Sequence, residues 1–192
     1  MPFARKITKA LTLLLWISLL ALIYIGLQGS TLQSLAAELS TGQAAIAATA
    51  ADSDLTGEVT LSATPDGVII QATVQNAPPG EHGFHIHAGS SCADGGNAAG
   101  GHFNPDNVKH GQLVLDGFDN AHAGDLGNII IRSNGEGTLS ETIPGLNLTQ
   151  GKYAIANHAI ILHENMDDFG QPTGNAGGRI GCGIIQVSSN PL

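Results

Sequence analysis

The stretch Gly57–Gln75, GEVTLSATPDGVIIQATVQ, decides the fold class because it holds two strand patterns and the turn between them. Residues 58–62 alternate between polar and apolar side chains, as in a strand with one buried face. In Pro65-Asp66-Gly67 the proline presets one backbone dihedral and the glycine accepts a positive φ, which favours a tight turn. Val68–Gln75 then returns as a second strand.

The same alternation of short strands and turn residues continues from about Gln43 onward. Further strands are predicted at His82–His87, Asn128–Arg132, Thr138–Ile143, Tyr153–Leu162 and Arg179–Val187. Residues 134–137, Asn-Gly-Glu-Gly, are typical of a hairpin turn. No long apolar pattern of helical period follows residue 40. Seven or eight short strands predict an all-β, antiparallel sandwich or barrel.

Composition narrows the function classes. The 192-residue chain has a net charge of −9, and its 8 histidines outnumber its 7 lysines and arginines. A nucleic-acid binder needs a basic face, so nucleic acid is excluded as a partner. Hydrophobic residues make up 42% of the chain, which excludes a wholly disordered protein. Histidines in an acidic chain of low charge are natural candidates for metal ligands.

The N-terminus has the pattern of an export segment. Arg5, Lys6 and Lys9 precede an apolar run over residues 10–27, and residues 28–42 have a linker composition. The run has a length between those of a cleavable signal and a membrane anchor, so both alternatives stand, with a candidate cleavage site at Ser34-Leu35-Ala36. We expect residues 1–36 to form the signal or anchor plus linker, and residues 37–192 to form the folded domain.

Cys92 and Cys182 both lie in the exported part. In an oxidising compartment such an isolated pair favours a disulfide over two free thiols.

Two segments interrupt the strand pattern. Residues 88–127 and 163–178 are rich in Gly, Asn, Asp and His, and long irregular loops in a compact β domain are usually functional or disordered. The histidines in these loops favour the functional reading.

His85 and His87 are two residues apart in Gly83-Phe84-His85-Ile86-His87, so in a strand both project from one face. Alone, this pair is weak evidence for a metal. The other candidate ligands are His102, His110, His122, Asp125 and His163. A site made only of imidazole nitrogens suits copper, and three histidines with a carboxylate suit zinc.

The order and spacing of four segments resemble the copper/zinc superoxide dismutase family. The segments are Gly83–His87, Gly101–Pro105 (GHFNP), Gly124–Asn128 (GDLGN) and Gly174–Gly183 (GNAGGRIGCG), and the resemblance covers roughly residues 43–188. It implies a Greek-key barrel of about eight strands with two long metal-site loops. It also implies one copper and one zinc per chain.

The resemblance further implies the role of each ligand. Copper would be held by His85, His87, His102 and His163, and zinc by His102, His110, His122 and Asp125. His102 would bridge the two ions and would supply a proton during turnover. Asp167 would accept hydrogen bonds from His85 and His110, and Cys92 would pair with Cys182.

The implied activity is the disproportionation of superoxide to O₂ and hydrogen peroxide outside the cytoplasm. Arg179 would stand at the copper mouth and Thr173 would line the channel. Residues 169–173 form a shorter connection than in many members, and they lack the charged residues that help those members guide superoxide. The rival hypothesis is a copper or zinc carrier on the same scaffold without turnover.

We therefore expect a periplasmic or extracellular protein, either soluble or anchored through residues 10–27. A homodimer is compatible with the family. His82 is expected to be a structural residue at a strand start, and His158 a strand residue without a metal.

Overall fold

The computed structural model describes residues 24–25 and 40–189. Residues 40–189 belong to a compact unit that spans Ala37–Leu192. Apart from the helical Tyr24 and Ile25, the predicted export segment lies outside the described residues, as does its candidate cleavage site. Among the described residues, no helix is both long enough and apolar enough to span a membrane.

The regular secondary structure in the described part of the chain is almost entirely β-strand. Its strands are β1 (Ser40–Ala48), β2 (Thr56–Ala63), β3 (Gly67–Gln75), β4 (Gly80–His87), β5 (Asp125–Ile131), β6 (Gly137–Pro144), β7 (Ala159–His163), β8 (Arg179–Ile184) and β9 (Gln186–Ser189). One four-residue helix, α1 (Leu113–Asp116), and a 3-10 turn (Asn97–Ala99) lie between β4 and β5.

The predicted hairpin at residues 57–75 is confirmed. Ala63 pairs with Val68, and the register continues from there to Thr56 and Gln75 at the far ends of β2 and β3. At the turn, the amide of Thr64 donates to the carbonyl of Gly67 at 2.8 Å.

The strands form an antiparallel barrel. The order is β2-β3-β6-β5-β4-β7-β8-β1-β9, and an additional pairing of β1 with β2 closes eight of the nine strands on one another. Connections from β3 to β4 and from β6 to β7 pass over intervening strands, as in a Greek key. The expected fold of about eight strands is confirmed.

The linker prediction for residues 28–42 is wrong at its end, because Ser40, Thr41 and Gly42 belong to β1. This strand alternates buried and exposed residues along most of its length, but its buried side chains are mostly small. Its stability comes from pairing with β2 along one edge and with β8 and β9 along the other.

Two predicted strands differ from the structure, one because it is shorter and one because it is divided. Tyr153–Leu162 shrinks to β7 because the residues before it form turns, including Asn157 at φ 65°. His158 therefore lies just before the strand, where its Nδ1 donates to the carbonyl of Ala88 at 2.9 Å. Arg179–Val187 divides at Ile185, whose amide donates to His158 rather than to the sheet.

Strand β4 is buried on both faces, and this places the histidines. Phe84 and Ile86 join the barrel core, while the alternation of the strand turns His85 and His87 outward. The long connections after β4 and after β7 cover these outward-facing histidines, so both are almost fully buried.

Candidate metal centre

Seven side chains from four parts of the fold converge on the outer face of β4. They are His85 and His87 of β4, His102, His110 and His122 of the β4–β5 connection, Asp125 at the start of β5, and His163 at the end of β7. All seven are buried. Strands β4 and β7 are neighbours in the sheet, which brings His163 to the histidines of β4.

Their ligand atoms form two groups. His85, His87, His102 and His163 make a four-histidine group, and His102, His110, His122 and Asp125 make a histidine-carboxylate group. Within each group the ligand atoms lie within 4.8 Å of one another. His102 belongs to both groups.

Backbone carbonyls fix the tautomers of two rings in the four-histidine group. Nδ1 of His87 donates to the carbonyl of Gly100 at 2.8 Å, and Nδ1 of His163 faces the carbonyl of Gly177 at 3.4 Å. In the neutral rings both Nε2 atoms then carry lone pairs, and these two atoms are 3.2 Å apart. Two lone pairs at this distance repel each other unless a cation lies between them.

Two buried ring nitrogens have no hydrogen-bond partner, and they are Nδ1 of His85 and Nδ1 of His110. Nδ1 of His110 is 2.9 Å from Oδ2 of Asp125, but outside hydrogen-bonding alignment. A buried polar atom without a partner costs free energy. One such atom in each group fits a site built to coordinate a metal ion.

Asp125 is the anionic centre of the histidine-carboxylate group. Its carboxylate accepts hydrogen bonds from Nδ1 of His102 at 2.8 Å and from the amides of Gly111 and His122 at 3.0 and 2.8 Å. Burial opposes its ionisation, yet the hydrogen bonds from the histidines hold the pKa of Asp125 well below its usual range.

Asp167 connects the two groups by a second route. Its carboxylate accepts from Nε2 of His85 at 2.8 Å and from Nε2 of His110 at 2.9 Å. These bonds leave the Nδ1 atoms of both rings free to coordinate a metal, as a supporting carboxylate does for a ligating histidine.

The pKa values differ between the two groups. Burial lowers the pKa of His87 to about 2 and that of His163 to about 3, with a smaller lowering from the positive charge of Arg179. Burial also lowers the pKa of His102 to about 4, despite its bond to Asp125. For His110, the lowering by burial is outweighed by the adjacent carboxylates of Asp125 and Asp167, which raise its pKa to about 9.

A small cleft of about 180 Å³ opens onto the four-histidine group. His87, His102 and His163 line its floor, and Thr173 and Arg179 are among the residues of its walls. The guanidinium of Arg179 donates to the carbonyls of Gly96 and Gly100. It has five N–H donors, so others remain for an incoming anion.

The loop that carries these carbonyls is tied to the barrel. A disulfide joins Cys92 to Cys182 of β8, with the two Cα atoms 5.8 Å apart. The carbonyl of Gly100 accepts from His87 and from Arg179, so a single peptide group positions both a candidate ligand and the arginine of the cleft.

This combination of a shared histidine, two ligand groups and a loop disulfide agrees with the family match. The model of the copper/zinc superoxide dismutase family matches residues 55–185. The chain belongs to this family.

Curated members of the family are similar to the chain over most of their length. A Cu-Zn superoxide dismutase 2 of Brassica juncea is 41% identical over 123 residues, which are 60% of this chain and 78% of the relative. A Cu-Zn superoxide dismutase of Legionella pneumophila is 36% identical over 132 residues, 68% of this chain and 77% of the relative.

Among solved structures, the crystal structure of the clock protein EA4 is similar to this fold. It superimposes with a TM-score of 0.68 at 33% identity, and the match covers 78% of this chain and 95% of that chain.

His82 and His158 belong to neither ligand group. His82 is buried in β4, and its two ring nitrogens face the carbonyls of His163 and Pro78 at 2.9 and 2.8 Å. His158 packs its ring against Phe103, with 4.3 Å between centroids. Both contacts are structural, and His82 supports the backbone of a candidate ligand.

Sequence reasoning missed two amide side chains that hold the site. Asn128 of β5 accepts from the amide of Asp167 at 2.7 Å and donates to its carbonyl at 2.9 Å. Gln171 makes the same pair of bonds to the backbone of His110. Asn128 lies within the GDLGN segment, which could have drawn attention to it, whereas nothing in the sequence around Gln171 signals its role.

Proposed function

We propose that this chain is a superoxide dismutase, which converts two superoxide anions and two protons to O₂ and hydrogen peroxide. The observation that carries the proposal is the membership of His102 in both ligand groups, since one imidazole with two ring nitrogens can serve two metal ions.

We assign copper to the four-histidine group and zinc to the histidine-carboxylate group, with one ion of each per chain. Four imidazole nitrogens suit copper, and three imidazoles with one carboxylate match the tetrahedral donor sets that zinc prefers. When bound, copper supplies the one-electron couple that first oxidises and then reduces superoxide.

The proton supply is the task of His102. Its Nδ1 faces Asp125 and His122, at 2.8 and 3.4 Å, so its Nε2 is the atom available to the four-histidine group. In the half-reaction that forms peroxide, a proton held at this Nε2 passes to the product, and solvent supplies the second proton. Asp125 holds the ring in place through the other nitrogen.

Capture of the substrate is the task of Arg179. Residues 37–192 carry four basic and sixteen acidic residues, a net charge of −12 with the wrong sign to attract an anion. Attraction must therefore be local. Arg179 stands in the wall of the cleft with a permanent charge and a rigid donor fork, and Thr173 adds a hydroxyl there.

The test is to measure metal content and turnover together. We expect the full-length chain to bind one copper and one zinc, measured by elemental mass spectrometry, and to inhibit cytochrome c reduction by a superoxide generator. A protein that binds copper and zinc but does not dismutate superoxide would favour the rival hypothesis of a metal carrier.

We also propose that the protein is exported to the periplasm or the cell exterior. The basic residues before the apolar run 10–27 support export, and the Cys92–Cys182 disulfide is typical of an oxidising compartment. N-terminal sequencing of the mature protein separates a cleaved signal, with a start near residue 37, from an anchor that contacts the membrane. Light scattering of the same sample tests the homodimer.

A further inference from the structure

We propose that Gln171 is a positioning residue that holds His110 in the histidine-carboxylate group and thereby slows the loss of zinc. This inference rests on the zinc assignment made above. It concerns a residue of the short connection 169–173, which carries no charge to guide superoxide.

The side chain of Gln171 grips both backbone groups of His110. Its Oε1 accepts from the amide of His110 at 3.1 Å, and its Nε2 donates to the carbonyl of His110 at 2.8 Å. The two residues are 61 positions apart, so the contact ties the β7–β8 connection to the β4–β5 connection. The carboxamide takes the place that a neighbouring strand would have in a sheet.

His110 needs such a partner because it lies in a stretch without regular structure. Residues 103–112 contain neither helix nor strand, so no sheet pairing fixes the backbone there. The next amide, that of Gly111, donates to Asp125 at 3.0 Å. A displacement of the His110 backbone would therefore move both the ring and the carboxylate of the same group.

The ring of His110 is closely confined by its neighbours. Its Nε2 is 2.9 Å from Asp167 and its Nδ1 is 2.9 Å from Asp125, and the side chain has no exposed surface. A ring held between two carboxylates keeps its unpartnered Nδ1 in place only while its backbone stays fixed.

The location of Gln171 explains why the grip affects exchange with solvent. A second cleft, of about 800 Å³, opens over His110 and His122, and Gln171 lies in its wall. Thr173 lines both this cleft and the smaller one over the four-histidine group. The two groups thus lie beside different clefts, and Gln171 lines the one next to the histidine-carboxylate group.

The experiment compares metal release from the full-length chain and its variants. Zinc release to a fluorescent chelator and copper release to a copper(I) chelator are each followed in time. We expect Gln171→Leu to release zinc about tenfold faster, at the lower end of the effect of removing a group that supports a ligand. Copper release should be unchanged.

Two further variants sharpen the result. Gln171→Glu retains an acceptor for the amide of His110 and loses the donor to its carbonyl, so its zinc release should be intermediate. Gln150→Leu is the matched control, because Gln150 is an exposed loop glutamine that lines neither cleft, and it should behave as the wild type.

The outcomes separate this inference from the proposed function. A wild-type chain that binds no zinc would refute the zinc assignment itself. If the wild type retains zinc and Gln171→Leu releases it at the same rate, the role of Gln171 is refuted. Equal acceleration of zinc and copper would also refute it, because a general loosening of the loops would affect both metals.

Discussion

The two ligand groups share His102 but differ in charge and in access. The four-histidine group contains no carboxylate ligand, and the outer ring nitrogens of His87 and His163 face the carbonyls of Gly100 and Gly177. The other group surrounds Asp125 with three histidines. Neutral imidazoles can remain ligands in two oxidation states, whereas a buried carboxylate favours an ion of constant charge.

Support from the surrounding chain also differs. The four-histidine group takes three of its ligands from β4 and β7, and its cleft contains the cationic Arg179. The histidine-carboxylate group takes three ligands from an irregular connection held by amide side chains and by Asp167. The first group therefore combines ligands fixed by strands with a cationic cleft, whereas the second depends on surrounding side chains for its order.

The largest effect is expected when the four-histidine group loses a ligand that the other group does not use. His163→Ala should abolish dismutation because copper loses one of four ligands, while zinc stays bound. Superoxide assay and metal analysis of the same preparation check this. Full activity in this variant would show that copper is assigned to the wrong residues.

A large effect is also expected in the histidine-carboxylate group when the charge of Asp125 is removed. Asp125→Asn should weaken zinc binding at least about tenfold, because the ion loses its only anionic ligand and His102 loses its partner. Chelator competition measures the affinity. Copper content should fall much less, and an equal loss of both metals would contradict the separation of the two groups.

A smaller effect is expected from substitution of Arg179, which lines the cleft at the four-histidine group only. Arg179→Ala should reduce turnover roughly tenfold, the effect of one charge-assisted hydrogen bond to the anion, and should leave both metals bound. Arg179→Lys retains the positive charge but not the planar pair of donors, so its turnover should lie between those of the wild type and Arg179→Ala. If Arg179→Ala had the kcat/KM of the wild type, Arg179 would have no role in substrate capture.

The smallest effect is a difference in titration in the metal-free protein. His87 and His163, with lowered pKa values, should stay neutral to about pH 4, whereas His110 should stay protonated to about pH 8. Imidazole nitrogen NMR measures each ring. Identical titration of His87 and His110 would remove the electrostatic contrast between the groups.

These shifts have opposite signs for stability. His87 and His163 lower the free energy of unfolding as pH falls below about 6.5, their unfolded value, because the unfolded chain binds protons more readily. His110 contributes stability below about pH 6.5 that is lost as pH rises through about 9. Metal-free variants His87→Ala and His110→Ala should separate the two contributions in thermal melts.

Local chemistry explains which parts of the fold could be predicted. The hairpin 57–75 has its own turn residues and strand alternation, so its pairing follows from the sequence. Strand β1 contains Ser40, Gly42 and several alanines, which resemble a linker in sequence and form a strand only because β2, β8 and β9 pair with it.

The site shows the same division. His85 and His87 signal a shared face by their spacing. The other candidate ligands were found among the histidines and acids of the two irregular segments, and the family resemblance gave each its role. Gln171 and Asn128 were not predicted. Each bonds to a backbone 61 or 39 positions away, and such a contact depends on how an irregular connection packs against a distant part of the fold. The long-range amide contacts therefore required the structure.

The conformation of the peptide at Gly100 affects both the ring of His87 and the guanidinium of Arg179. At Gly100 the φ of 70° and ψ of −153° lie in a region open essentially to glycine alone, although a side chain there would meet no neighbour within 4 Å. Any other residue would have to rotate the carbonyl that holds both His87 and Arg179. A substitution at Gly100 should therefore change the affinity for the anion and the affinity for copper together.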